Sequence, residues 1–256
     1  MIKAIFFDND GTILSHELKD VPASTRFSLQ QLKKQGIKMI MATGRSYQEL
    51  KALPGNDIEY DAYLLNNGQV CMDHNQEVLF AYPLQNEDKK FIIDLFNKKQ
   101  IPIVLVQKDQ IYTNMVNDYI VKALADVSTQ VPSIDTYQDG DIFQAVAYGD
   151  EETLAELKKQ LTDSKMTKWH PYGADIYSKD GGKLASMKRY MQMFKLKDDE
   201  VMAFGGGEND LEMLQHAYIS VAMGNASDEV KQVASFVTNN VNDDGIYYAL
   251  KHYKLI

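Results

Sequence analysis

Cysteine is almost absent. Cys71 is the only one in 256 residues, so no internal disulfide can form, and the usage suits a reducing compartment, with the cytoplasm as the expected location. Basic charge is also short, with 27 Lys and Arg against 36 Asp and Glu, a formal net charge of -9. A nucleic-acid footprint needs clustered cations to displace counterions from phosphates, and this balance argues against one. No apolar run approaches the roughly 20 residues that cross a bilayer, so no membrane partner is expected. The opening apolar stretch, Met1 to Phe7, is cut by Asp8 and Asp10 too early for a secretory core. The five histidines show no paired ligand spacing, which speaks against zinc. Internal repeats and low-complexity linkers are missing as well.

What is present is an ordinary soluble composition, 45% hydrophobic and 25% charged. Single cores stop growing at roughly 250–300 residues, so one core with a second, smaller domain is expected.

Ile2 to Phe7 is short and nearly continuous in apolar character, as suits a strand buried on both faces of a parallel sheet. Pro22 can open a helix with Phe27, Leu29 and Leu32 on its buried side and Gly36 at its close. Ile37–Met41 and Tyr60–Leu65 read as the next strands, with a helix between them. This β-α-β-α-β order predicts helices on both faces of a parallel sheet and ligands at the carboxyl ends of its strands. Asn67-Gly68 signals a hairpin, and Gln69–Asp73 with Glu77–Tyr82 read as two short antiparallel strands leaving the sheet.

From Pro83 the pattern changes. Helices over Glu87–Lys99 and Glu151–Leu161, with strands near Ile101–Val106 and Ile142–Tyr148, suggest a separate α+β unit. Core-like alternation resumes after Lys183, through Val201–Phe204, Ile219–Met223 and Phe236–Thr238. The expected fold class is therefore α/β, a doubly wound, mainly parallel sheet over residues 1–81 and 182–256 with an α+β insertion over 82–181.

Chemistry-bearing residues gather at the ends of the core strands. Asp8 and Asp10 follow the first strand directly. They would point oppositely if it continued, so a turn at Gly11 must bring them together as a carboxylate pair. One acid could attack while the other handles protons; the plainer alternative is a pair of turn or capping residues. Thr43-Gly44-Arg45 ends the second strand, where a hydroxyl and a backbone amide can donate to a phosphoryl oxygen, or simply cap a helix. Lys183, after Gly181-Gly182, can hold a cation over the same crevice or lie in solvent. Gly205-Gly206-Gly207-Glu208-Asn209-Asp210 forms a glycine-rich strand-to-helix turn whose acids lie beside those of the first strand in a doubly wound sheet, which makes a shared cation plausible. In the insertion, His170 and Tyr172 could touch a substrate or be packed.

Taken together, Phe6 to Thr12, Ala42 to Arg45, Asn67-Gly68, Lys183, Gly205 to Leu214 and Val221 to Ala226 resemble the Cof-type phosphatases of the haloacid dehalogenase superfamily, the group with a type IIB cap. The resemblance covers nearly the whole chain. It implies that Asp8 is a nucleophile forming an aspartyl-phosphate and that Asp10 is the general acid and base. It also implies that Asn9, Thr43, Gly44, Lys183 and Asn209 hold the phosphoryl group or orient the carboxylates. Magnesium is the implied cofactor, held by Asp8, by Asp10 through its backbone carbonyl and by Asp210, with the insertion as cap and Arg45, His170 and Tyr172 as candidate substrate contacts.

The implied partner is a small phosphorylated metabolite, met by a monomer or homodimer. One departure stands out: Gly206 occupies the place where the family has a magnesium-binding aspartate. Weakened metal affinity is expected, and a phosphate-ester binder without turnover and a phosphomutase are the alternative readings.

Overall fold

The computed structural model describes residues 1–127 and 129–256. In chain order its elements are β1 (Ala4–Phe7), α1 (Ala23–Lys34), β2 (Lys38–Ala42), α2 (Tyr47–Ala52), β3 (Ala62–Leu65), β4 (Val70–Asp73) and β5 (Val78–Ala81). Then come α3 (Asn86–Lys98), β6 (Ile103–Val106), β7 (Ile111–Thr113), α4 (Asp118–Asp126), β8 (Gln144–Tyr148), α5 (Glu151–Gln160), β9 (Ser164–His170) and β10 (Gly173–Ser178). The chain closes with α6 (Lys183–Met193), β11 (Val201–Gly205), α7 (Leu211–His216), β12 (Ile219–Ala222), α8 (Asp228–Val233), β13 (Phe236–Val237) and α9 (Gly245–His252). Two compact units result, one from Met1–Phe80 with Lys183–Ile256 and the other from Ala81–Gly182.

In the first unit the strand order among the described residues is β13-β12-β11-β1-β2-β3-β4-β5. Every pairing from β13 to β3 is parallel, and β3 to β4 is antiparallel. β1 lies between β2 and β11, and all its residues are buried, which is why its sequence runs apolar without alternation. Its side chains still alternate between faces. Ile5 and Phe7 join the cluster that includes Leu29 and Leu32 of α1 and Ile246 of α9, while Phe6 meets Tyr190 of α6 edge-on. The chain winds from β1 toward β2 and β3, and later returns to the other side of β1 as β11. That reversal of strand order makes a crevice at the carboxyl ends of β1 and β11.

Two local expectations are corrected. Phe27 is 49% exposed, because the buried stripe of α1 is Thr25, Ser28, Leu29 and Leu32, an i, i+3, i+4, i+7 set that leaves Phe27 to one side. The strands after Asn67-Gly68 do not leave the sheet. The tight turn lays β4 back along β3, with Leu65 opposite Val70, and β4 and β5 become its edge.

The second unit is an antiparallel sheet of order β7-β6-β8-β10-β9. Ile103, Leu105, Ala145 and Ala147 face α3 and α5, while Val104, Val106, Val146 and Tyr148 face α4. β7, β9, β10 and α4 are additional to the elements that the sequence pattern predicts. β9 in particular reads Ser-Lys-Met-Thr-Lys-Trp-His and is only partly buried, so no apolar alternation marks it. Among the described residues no helix is long and apolar enough to cross a membrane.

Phe7 and Phe204 stack across the β1–β11 pair with ring centroids 5.1 Å apart and no exposure. Phe204→Ala is expected to lower the unfolding free energy by about 3–5 kcal/mol, the range for deleting a buried aromatic ring. Urea unfolding followed by circular dichroism checks it, and a loss below about 1 kcal/mol would contradict the packing described.

Candidate active site

β1 stops where its ladder stops. The Asp8 amide makes the last bond, to the Phe204 carbonyl at 3.0 Å, and the chain then curls so that the Asn9 carbonyl accepts from the amides of Thr12, Ile13 and Leu14. Gly11, at φ +75, sits at the left-handed point of this curl.

Asp8 is buried at the tip of the strand. Its Oδ1 accepts from Lys183 Nζ at 2.8 Å and its Oδ2 from the Thr12 hydroxyl at 3.2 Å. The same ammonium donates to Asp210 Oδ1 at 2.6 Å. The Lys183 side chain is 1% exposed and that of Asp210 is 0% exposed, so neither is the solvated group that each could be in isolation. Asp210 Oδ2 in turn accepts from the amides of Gly206 and Gly207, both at 2.9 Å, which ties down the turn after β11.

Burial first, then the charge of Asp210, raise the Asp8 carboxyl above its ordinary value, and Lys183 offsets only part of this. For Lys183, burial favours the neutral amine, yet the charges of Asp210 and Asp8 prevail and its proton is held more tightly than in water. Two carboxylates around one ammonium leave a surplus negative charge in a buried place.

Asp10 has a different environment. Arg45 grips it bidentately, Nε to Oδ2 and Nη2 to Oδ1, both at 2.8 Å, and His16 Nε2 lies 3.3 Å from Oδ1. Burial opposes the charged form, but hydrogen bonds from His16 and Arg45 outweigh it and hold Asp10 well below the usual carboxylate range. Asn9 donates from Nδ2 to the same carboxylate at 3.3 Å. Thr43, fully buried, accepts the Arg45 amide on its hydroxyl at 3.1 Å. Asn209 donates from Nδ2 to Asn67 Oδ1 at 2.8 Å.

The three consecutive glycines of the β11 turn are not equivalent. A Cβ on Gly205 would fall 2.6 Å from the Asp210 carboxyl carbon, and one on Gly207 would fall 2.6 Å from Asn209 Oδ1. At Gly206 the nearest neighbours would be Ala226 Cβ at 3.8 Å and both Met223 Cβ and Thr12 Oγ1 at 3.9 Å. Nothing in the packing requires glycine there, and a side chain would stand next to the hydroxyl that already touches Asp8.

These positions test whether the residues suit magnesium. Among the described residues no group of three or more His, Cys, Asp or Glu forms a candidate metal site. The Asp8 carboxylate and the Asp10 carbonyl are two oxygen donors on one loop beside surplus negative charge. Mg²⁺ commonly uses one or two protein carboxylates and completes its shell with phosphate oxygens and water, so the residues fit the ion with fewer protein ligands. Asp210, expected as a further ligand, lies in the same cluster with its oxygens bonded to Lys183 and the glycine amides.

Arg45, expected as a substrate contact, holds Asp10. His170 and Tyr172 belong to the second unit, where His170 Nε2 meets Asp126 at 3.0 Å and its Nδ1 accepts the Tyr172 amide at 3.1 Å. The sequence reading missed His16, Thr12 and Asn225, whose Nδ2 donates to the Gly11 carbonyl at 2.8 Å. Thr12 and Asn225 lay inside recognised motifs, but His16 had no signal of its own.

A doubly wound sheet with paired aspartates, a buried lysine and a threonine at the carboxyl ends of its strands is an arrangement suited to phosphoryl handling. The model of the haloacid dehalogenase-like hydrolases matches residues 5–250, and the chain belongs to this family as a Cof-type phosphatase of subclass IIB. YkrA of Bacillus subtilis (strain 168) is 31% identical over 99% of this chain and 98% of its own length. Among solved structures, the haloalkanoate (HAD) superfamily phosphatase BT1666 of Bacteroides thetaiotaomicron aligns with a TM-score of 0.89 at 31% identity, covering 100% of this chain and 96% of that one. The HAD subclass IIB sugar phosphatase BT4131 aligns at 0.86 and 31% identity, covering 99% and 100%.

The surplus buried charge predicts that Asp8→Asn stabilises the chain when phosphate and divalent cations are absent. The expected rise in Tm is roughly 2–4 °C at neutral pH, about 1 kcal/mol for a protein of this size. The sign with pH follows. The folded chain binds the Asp8 proton more tightly than the unfolded chain, so acidification from neutrality toward about pH 4 favours folding and closes the gap between variant and parent. Asp10 acts oppositely, stabilising above the ordinary carboxylate range and losing that contribution only in stronger acid. Thermal melts at pH 5 and pH 7.5 check this, and a variant less stable than its parent at both would contradict it.

Proposed function

We propose that this phosphatase hydrolyses small phosphomonoesters, of the sugar phosphate, nucleotide or phosphorylated-cofactor class, through an aspartyl-phosphate on Asp8. The observation that carries the reading is the pair of unlike carboxylates on one loop. Asp8 is held by Lys183 and Thr12, and Asp10 is gripped by Arg45. A carboxylate that attacks must be positioned by donors that leave it nucleophilic; one that moves protons must be held separately, at the leaving group.

Asp8 attacks phosphorus as the ester bond to the leaving oxygen breaks, and Asp10, which Arg45 and His16 hold ionised here, must take up a proton before it passes one to that oxygen. In the second displacement Asp10 takes a proton from water, whose oxygen attacks phosphorus and releases phosphate from Asp8. Lys183, Thr43, the Gly44 amide and Asn209 stabilise the charge that develops on the phosphoryl oxygens. Arg45 orients Asp10 by its two-pronged grip. The Asp8 carboxylate and the Asp10 carbonyl would hold magnesium, which would supply charge neutralisation at the phosphoryl group.

Residues 82–181 are read as the cap that selects the leaving group. The sugar phosphatase activity in the name of BT4131 favours sugar phosphates within the class. A cytoplasmic location belongs to the same reading, on the ground of the single cysteine.

Gly206 motivates a second reading, a protein that binds phosphate esters without turning them over. Both are tested by one screen, which measures phosphate release from a panel of phosphomonoesters across a magnesium titration. The unaltered chain is expected to turn over at elevated magnesium. Gly206→Asp, for which there is room, should lower the magnesium requirement by about tenfold or more. Asp8→Asn should abolish release. Ester binding without release in the unaltered chain supports the second reading, and silence from both the unaltered chain and Gly206→Asp overturns the hydrolase mechanism.

A further inference from the structure

Asn67-Gly68 is a motif of the sequence left without a part in the chemistry, and with Asn66 before it the geometry is costly for a simple turn. All three residues are left-handed, at φ 51, 57 and 82, and both asparagine side chains are buried. A type I′ hairpin turn needs only two such residues, and buried non-glycine residues held there gather at functional sites. Asparagine is among the few side chains that tolerate this backbone, which accounts for its presence but not for its burial.

The turn touches three other segments that carry site residues. The Asn67 amide donates to the Thr43 carbonyl at 2.9 Å, and the Asn66 amide donates to the Arg45 carbonyl at 3.0 Å. Asn67 Oδ1 accepts from Asn209 Nδ2 at 2.8 Å, and the same oxygen would lie 3.2 Å from a Cβ on Gly44, so the carboxamide is laid against the Gly44 backbone. The Gly68 carbonyl accepts the hydroxyl of Ser186, one turn along the helix that begins with Lys183. A single tripeptide therefore ties together the loop after β2, the turn after β11 and the start of α6.

We propose that Asn67 is a positioning residue for phosphoryl transfer, holding Asn209 and the Gly44 amide in register around the phosphoryl group. This rests on the reading above that those groups contact phosphate. By spending one hydrogen of the Asn209 amide on its own Oδ1, Asn67 fixes the plane of that carboxamide and leaves the second hydrogen for a phosphoryl oxygen. Asn67 itself donates nothing to the substrate in this scheme.

The test uses Asn67→Gly, which keeps the left-handed backbone without strain and removes only the side chain. Relative to the unaltered chain, Tm should be unchanged or higher. Affinity for inorganic phosphate, by calorimetry in saturating magnesium, and kcat/KM for the best ester of the panel should each fall about tenfold, as expected for a lost contact serving a charged ligand. Asn209→Ala should lose a similar amount, and the double variant should lose less than the sum of the two, because the hydrogen bond between them is shared.

A purely structural Asn67 would instead lower Tm and give additive losses, and that result overturns the proposal. So does an Asn67→Gly chain that binds phosphate and turns over like its parent. If the unaltered chain neither binds phosphate nor releases it, the parent reading falls and this inference falls with it.

Discussion

The Lys183 ammonium, enclosed between Asp8 and Asp210, is the contact on which the rest of the site depends. It joins the loop after β1, the turn after β11 and the start of α6 in one buried place. Removing a charge from water costs several kcal/mol, and only close opposite charges and further hydrogen bonds offset it. Lys183 meets that condition with two carboxylates, and Asp210 meets it with Lys183 and two backbone amides. Asp8 is the member left short. It has one lysine shared with another acid and one hydroxyl, so it is the group whose charge the fold stabilises least.

That imbalance has a chemical use. A carboxylate fully satisfied by donors would be a poor nucleophile, whereas one in a pocket of surplus negative charge is relieved when a cation arrives, the same cation that an anionic phosphoryl group needs beside it. Asp10, two residues away, is satisfied in the opposite sense by Arg45, His16 and Asn9. The two acids therefore differ through their surroundings rather than their identity. Gly206 extends the same logic, because the turn leaves room for a side chain beside Thr12 and Asp8 where this chain supplies none.

Much of this was legible in the residues. Buried apolar strands followed at once by chemistry-bearing loops are a local pattern, so the ends of β1, β2 and β11 could be placed from sequence. Errors arose where a residue's setting depends on a neighbouring element. Phe27 looked like part of a buried stripe until the i, i+3, i+4, i+7 set of α1 proved to be centred elsewhere. A tight turn says that a strand reverses but not which edge it then joins, so the place of β4 and β5 in the sheet is not legible in Asn67-Gly68. Polar β9 gave no period to read at all.

The sequence alone determined which residue types stand at the carboxyl ends of the strands, because strand burial and turn chemistry are properties of a few consecutive residues. Only the tertiary structure decided which of them share a proton, a charge or a hydrogen bond. Lys183 is 175 residues from Asp8, and Asn209 is 142 from Asn67. Sheet order sets those pairings, not spacing along the chain. For the same reason Asp210 became a buried anchor and Arg45 a clamp on Asp10, since each bonds the nearest group that the reversal of strand order brings beside it.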